Sequence, residues 1–184
     1  MSEFNIQLLE KEKWQGHEVK IVYTSRHFYD VSIEESQGNF HVSFIKKPYE
    51  GPYLKVPDFN DRLFGHWWDN VMAWGVIEND ELLAVAETCV ESWNNRLRVS
   101  LLWVHEDRRR LGIGKALMDL AVNRAKEENR RAVVLETQSS NEAGIAFYLA
   151  YGFSLIGFDA CAYRNNDLER REVRLEMGLY LIKF

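Results

Sequence analysis

The feature that most constrains this chain is a change of hydrophobic period at Val104. Ahead of it, "NVMAWGVIENDELLAVAETCVESWNNRLRVSLLWV" reads as three strands with turns at Asn79-Asp80 and Asn94-Asn95, an antiparallel meander. Beyond it, Ile113, Leu117, Leu120, Ala121 and Ala125 fall at helical spacings and form one apolar stripe over about residues 110–128. "RAVVLET" returns to the short continuous apolar run of a buried strand. "SNEAGIAFYLAYGF" predicts a second helix, capped by Ser140 or Asn141, with Glu142 in its first turn and Gly152 as the left-handed residue past its end. "SLIGFDACAY" and "EVRLEMGLYLIKF" supply two closing strands. A meander followed by alternating strand and helix predicts an α/β (mixed α+β) fold: a central mixed, mostly antiparallel sheet flanked by helices.

The N-terminal third is strand-rich. "VKIVYTS", "FYDVSIEES" and "FHVSFIKK" are dense in β-branched and aromatic residues, with "SQGN" as the turn between the last two. "GPYLKVPDFNDRLFGHWWDN", residues 51–70, has no clean period and predicts an ordered loop or short helix over the sheet. The chain has 184 residues, 46% of them hydrophobic, so its length and apolar content predict a single domain, 1–184.

The net charge of −5 argues against a nucleic-acid binder and favours cationic small molecules as partners. Cys89 and Cys161, each in an apolar run, read as buried reduced thiols. The sequence shows neither a signal-peptide run nor a membrane-length apolar stretch, which predicts a cytoplasmic protein away from membranes. His17, His27, His41, His66 and His105 are scattered without ligand spacing, so no metal is expected.

Helices begin with amides that have no internal partner, and the helix dipole adds partial positive charge there. In "RRRLGIGKAL" the glycines at 112 and 114 keep Cβ atoms away from such amides, and Arg108, Arg109, Arg110 and Lys115 add charge around them. A phosphate or pyrophosphate is the implied ligand. The spelling fits neither the dinucleotide-binding nor the Walker pattern, and a close packing contact beside a solvated basic face is the competing reading.

"VHEDRRRLGIGKALM" resembles the acetyl-CoA signature of the GNAT superfamily of N-acetyltransferases, Arg or Gln, two residues, Gly, one residue, Gly or Ala, filled by Arg109, Gly112 and Gly114. "NEAGIAFYLAYGF", with Asn141 seven residues before Tyr148, resembles a later motif of the same superfamily. "GPYLK", "ESWNNR" and "LETQSSN" are similar to segments of the streptothricin acetyltransferases, which acetylate the β-lysine amine of that antibiotic. The resemblance implies transfer of acetyl from acetyl-CoA to a primary amine of a cationic small molecule, by direct attack in a ternary complex. Two alternatives stay open: a protein or peptide amine as acceptor, and a non-catalytic acyl-CoA sensor. It also implies a homodimer through the closing strands, as GNAT domains often form.

Under that resemblance the pyrophosphate falls to the backbone amides of Arg109, Arg110, Leu111, Gly112, Ile113, Gly114 and Lys115. The backbone of Leu102, Trp103 and Val104 would pair with the pantetheine arm and polarise the thioester. Tyr148 would protonate the departing sulfur, since a phenol near 10 and a thiol near 8.5 are roughly matched. Asn141 reads either as a pantetheine contact or as a simple cap.

The streptothricin group carries acids late in the strand before the signature, where this chain has Ser100 and Leu101. The general base is therefore sought among acids in apolar runs: Glu87 first, directly or through water, with Glu136 and Glu91 open. Trp67, Trp68 and Trp74 read as core or as walls of an acceptor pocket, with Asp58, Asp61 and Asp69 attracting a cation.

Overall fold

The computed structural model describes residues 4–55 and 60–182. In chain order the elements are β1 (Ile6–Leu8), α1 (Lys11–Trp14), β2 (Glu18–Val19), β3 (Tyr23–Ser36), β4 (Asn39–Lys55), β5 (Asp61–Arg62), β6 (Met72–Glu78), β7 (Glu81–Glu91) and β8 (Arg96–Val104). They continue with α2 (Ile113–Glu127), β9 (Ala132–Gln138), α3 (Glu142–Tyr151), β10 (Ser154–Asp159), α4 (Asp167–Arg170) and β11 (Arg174–Tyr180). They group into two compact units, one drawn from Met1–Ile21, Pro57–Leu135 and Leu179–Phe184, the other from Val22–Val56 and Glu136–Gly178. The expected mixed, mostly antiparallel sheet flanked by helices is present. No helix among the described residues is long and apolar enough to cross a membrane.

In the first unit the strand order is β1-β6-β7-β8-β9, antiparallel except for the β8–β9 pair. Asn79 and Asp80 turn the chain between β6 and β7 with φ of 50° and 65°, the backbone a two-residue hairpin requires. β7 is buried on both faces. On one face Ala84 and Ala86 meet Ile113 and Leu117 of α2; on the other, Val85 and Leu101 pack with Leu9, Trp14, Leu63 and Phe64. The expected helix over 110–128 starts only at Ile113, because Arg110 (φ 65°) and Gly112 (φ 88°) are left-handed and cannot continue a right-handed turn.

Within this unit Arg124 of α2 is buried. Its Nη1 donates to the Thr88 carbonyl (3.2 Å) and Thr88 Oγ1 (2.7 Å), Nη2 to the Asn70 carbonyl (2.7 Å), and Nε pairs with Glu128 (2.7 Å). A buried cation satisfied at each of these points ties the helix to β7 and to the turn before β6.

In the second unit, β3 and β4 form one long hairpin around Gln37 (φ 52°) and Gly38 (φ 79°). Residues 51–55, expected to belong to a loop or short helix, instead complete β4. The ladder passes from His27↔Pro48 to Ser25↔Tyr53, so the turn formers Gly51 and Pro52 sit in a bulge opposite Arg26, where a missing donor does no harm. Tyr29, Val31 and Phe44 of the hairpin pack on Ile145 of α3 and on Val173 and Leu175. β11 and β10 pair antiparallel.

Arg124→Met removes every donor from these buried acceptors and lowers the unfolding free energy by roughly 3 kcal/mol in urea melts. Lys115→Met, which breaks the exposed Lys115–Asp119 pair on the same helix, changes it by less than about 0.5 kcal/mol.

Candidate active site

The chain leaves β8, makes a 3-10 turn at Glu106–Arg108 and enters α2 through the left-handed Gly112. No side chain caps this helix, and its first intrahelical bond runs from the Ala116 amide to the Gly112 carbonyl at 3.0 Å. A Cβ built on Gly112 meets nothing within 4 Å. Open space, an uncapped helix start and the dipole are together features that suit a phosphate group.

The cations around it are mostly engaged by the chain itself. Arg108 pairs with Glu78 at 2.6 Å, Lys115 with Asp119 at 2.8 Å, and Arg109 donates Nε to the Val104 carbonyl at 3.0 Å. Among the described residues the exposed Arg110 guanidinium has no partner.

The end of β8 is half-laddered. It pairs with β7 as far as Val104, while its parallel ladder with β9 ends at Val99↔Leu135. Leu102 and Val104 point to the α2 face and Trp103 to the opposite one, so their side chains are core.

Glu87 sits where β7 and β8 fall out of register. The pairs Glu87↔Leu101 and Thr88↔Val99 leave Ser100 without a Cα partner, a bulge that re-aims its side chain. Glu87 is 2% exposed. Its Oε2 accepts the Phe64 amide at 2.6 Å, and its Oε1 accepts the Ser100 hydroxyl at 2.8 Å. Burial raises its pKa above the usual carboxylate range; the Phe64 and Ser100 bonds oppose that, and Asp61 adds to it. Phe64 reaches this position with φ 56°, and Leu63 and Phe64 are core residues.

The other acids are differently placed. Burial acts to raise Glu91, but bonds from Arg98 (2.5 Å), Asn94 (3.1 Å) and Arg96 (2.8 Å) hold it below the carboxylate range. That is a structural ion network. In the second unit Glu136 is exposed, with Arg174 at 3.3 Å. Asp61 lies in β5, the Asp69 carbonyl accepts the Val90 amide, and Asp58 lies outside the described residues. Trp74 packs on the α2-side core, whereas Trp67 is 61% exposed with its edge toward His66. Cys161, expected to be buried, is exposed: Asp159 binds its amide at a turn, so the apolar run "ACAY" falls outside any strand. Both cysteines are free thiols.

The second unit holds Asn141 and Tyr148. Asn141 Oδ1 caps α3 by accepting the Gly144 amide at 3.0 Å, and its Nδ2 donates to Thr137 Oγ1 at 3.1 Å. Its side chain is thus committed as a cap. Tyr148 is buried beside Phe147 and Phe153, and among the described residues its hydroxyl has no hydrogen-bond partner. Burial pushes the phenol up to about 12, which widens the mismatch with a thiol instead of leaving the two nearly matched.

The model of the Acetyltransferase (GNAT) family matches residues 42–153, well over half of the chain. The chain belongs to that family. It is 28% identical over 128 residues to the streptothricin acetyltransferase of Streptomyces lavendulae, covering 66% of this chain and 68% of that one. It is also 28% identical over 138 residues to mycothiol acetyltransferase of Propionibacterium freudenreichii, covering 72% of this chain. There it spans only 43% of the relative's length.

The fold is that of a crystallised nourseothricin acetyltransferase, with a TM-score of 0.77, 21% identity, and 97% of this chain and 99% of that one covered. A Bacillus anthracis protein described as a streptothricin acetyltransferase, crystallised with acetyl coenzyme A, gives a TM-score of 0.71 at 22% identity over 97% of this chain and 100% of that one.

The feature that sequence reasoning missed is Ser100, which looked like a gap where an acid was expected. Nothing in the spelling "RVSLLWV" signals the bulge that turns its hydroxyl onto Glu87.

Because native Glu87 holds its proton more tightly than the unfolded chain does, its contribution to stability is fully present below about pH 4.3 and is lost as pH rises through the raised native pKa. Urea titrations at a series of pH values should therefore show wild-type stability falling relative to Glu87→Gln from about pH 4.3 upward and then levelling. A difference that stays flat with pH would show that the native carboxylate titrates normally.

Proposed function

We propose that this chain, acting over residues 1–184 as one acetyltransferase domain, moves the acetyl group of acetyl-CoA to a primary amine of a cationic small molecule of the streptothricin type. The observation that carries the reading is the start of α2: an uncapped helix entered through left-handed Gly112, with open space where a Cβ would stand. The acceptor class is supported by the similarity to the Streptomyces lavendulae enzyme and by the net charge of −5, which favours a cationic acceptor.

In this reading the amides between Arg109 and Lys115, with Arg110, hold the diphosphate. The backbone of Leu102, Trp103 and Val104 takes the pantetheine amides along the edge of β8 that carries no ladder, and an N–H there polarises the thioester oxygen. Glu87, raised by burial, takes the proton that the ammonium must lose before its nitrogen can attack.

Tyr148 is the residue assigned to the departing sulfur. Full proton transfer from a phenol near 12 to a thiol near 8.5 is uphill by roughly 5 kcal/mol, so its hydroxyl serves as a hydrogen-bond donor to the charge that builds on sulfur. Asn141 acts through the cap that sets the start of α3. The setting is the cytoplasm, where Cys89 and Cys161 remain thiols. Two copies pair through β10, which ends the strand order, ladders with β11 alone among the described strands, and exposes Leu155 and Phe158.

Thiol release from acetyl-CoA on addition of nourseothricin tests the activity. Turnover with lysine peptides alone would overturn the acceptor class, and coenzyme A binding without turnover would overturn the enzyme. Tyr148→Phe should lower kcat by roughly 10–100-fold with acetyl-CoA affinity within twofold. Arg110→Ala should weaken acetyl-CoA binding by roughly tenfold in calorimetry. Unchanged affinity in that variant would take Arg110 out of the diphosphate site.

A further inference from the structure

Glu87 is a base that an amine cannot reach directly. It is 2% exposed, and each of its oxygens already accepts a hydrogen bond, from the Phe64 amide at 2.6 Å and from the Ser100 hydroxyl at 2.8 Å. The two donors differ chemically. A peptide N–H has no lone pair with which to take up a second proton, so Phe64 ends any chain of transfer. A serine hydroxyl carries one hydrogen and two acceptor lone pairs, so it can pass its own proton inward while taking another from outside. Ser100 is also only partly buried, whereas the carboxylate behind it is buried. We propose that Ser100 is a proton relay, carrying the proton of the acceptor's ammonium to Glu87.

The bulge makes this possible. With Leu101 paired to Glu87 and Val99 to Thr88, the extra residue Ser100 turns its Oγ onto both Glu87 Oε1 and, at 3.3 Å, the Glu87 carbonyl. In the transfer the ammonium N–H bond breaks and its hydrogen bonds to Ser100 Oγ, while the Ser100 O–H bond breaks and its hydrogen bonds to Glu87 Oε1. The products are a neutral amine, an unchanged serine and a protonated carboxyl group. No other reactant is needed.

The groups that bear on Glu87 electrostatically are Asp61 of β5 and Cys89 of β7, together with its donors Phe64 and Ser100.

This inference rests on Glu87 as the base, and one assay set separates the two. Thiol release is followed with the purified full chain, acetyl-CoA and nourseothricin, for wild type, Ser100→Ala, Ser100→Thr and Glu87→Gln. Ser100→Ala should lose roughly 100-fold in kcat/KM for nourseothricin with acetyl-CoA affinity within twofold, and Ser100→Thr, which keeps a hydroxyl, should recover most of it. A proton inventory on wild-type kcat/KM should be bowed, as two protons in flight require. It should become linear in Ser100→Ala.

Ser100→Ala within threefold of wild type, or a linear wild-type inventory, overturns the relay. The inventory decides the matter even if the alanine variant does not fold. If Glu87→Gln loses the acid limb of the pH profile while Ser100→Ala keeps full activity, the relay falls and the base stands. If Glu87→Gln leaves the profile unchanged, the base falls and the relay falls with it.

Discussion

The chemistry proposed for the first unit depends on a buried carboxylate, Glu87, that has no cation bonded to it among the described residues. A carboxylate taken out of water is costly, and proteins usually meet that cost with an arginine or lysine. Glu91 has two arginines, and Glu172 in the second unit has Lys55 and Arg170; both are held below the ordinary carboxylate range despite burial. Glu87 has only an amide and a hydroxyl, and its pKa rises. The opposite directions of these shifts are set by the neighbours, not by depth. Two neutral donors hold the carboxylate in place without fixing its charge.

The two longer helices that follow β8 and β9 show the same principle at their N-termini. α3 opens on Asn141, whose own side chain accepts the Gly144 amide. α2 opens on Gly112, which has no side chain to offer, at a backbone angle that other residues adopt only under strain. One helix has a side-chain cap of its own, and the other has none; in the proposed function that task falls to the diphosphate. Arg108 and Lys115 are tied to Glu78 and Asp119, and Arg109 bonds the end of β8, so the proposed attraction for a diphosphate is assigned to the backbone and Arg110. Three adjacent arginines in the sequence overstate the charge available there.

What was legible in the sequence follows from local rules. The meander, its turns at Asn79-Asp80 and Asn94-Asn95, both long helices and the strand between them rest on period and on residues that tolerate left-handed backbone, and all are present. The features that escaped depend on partners distant in sequence. Residues 51–55 become strand because β3 offers them a ladder, in spite of their turn formers. The short β1 and α1 are too brief to show a period, and they form because Leu9 and Trp14 pack under the sheet. Arg124 gave no sign in "AVNRAKEEN" of being buried, since its acceptors come from Asn70 and Thr88. The Ser100 bulge is likewise a matter of register between two strands.

The proton balance of the proposed reaction can be read from these shifts. A raised Glu87 moves toward neutral pH, where it can hold a proton taken from an ammonium; Tyr148, pushed up to about 12, moves away from the thiol it would serve. The two shifts share one cause, burial, and have opposite consequences, because the base must gain a proton and the acid must lose one. A thiolate leaving group near 8.5 needs little help to depart, whereas an ammonium near 10 cannot attack at all until it is deprotonated. In the proposed reaction the step that most needs a protein group is the one assigned to Glu87, a buried carboxylate with no cation bonded to it among the described residues, and the weaker acid, Tyr148, is assigned to the step that can proceed without it.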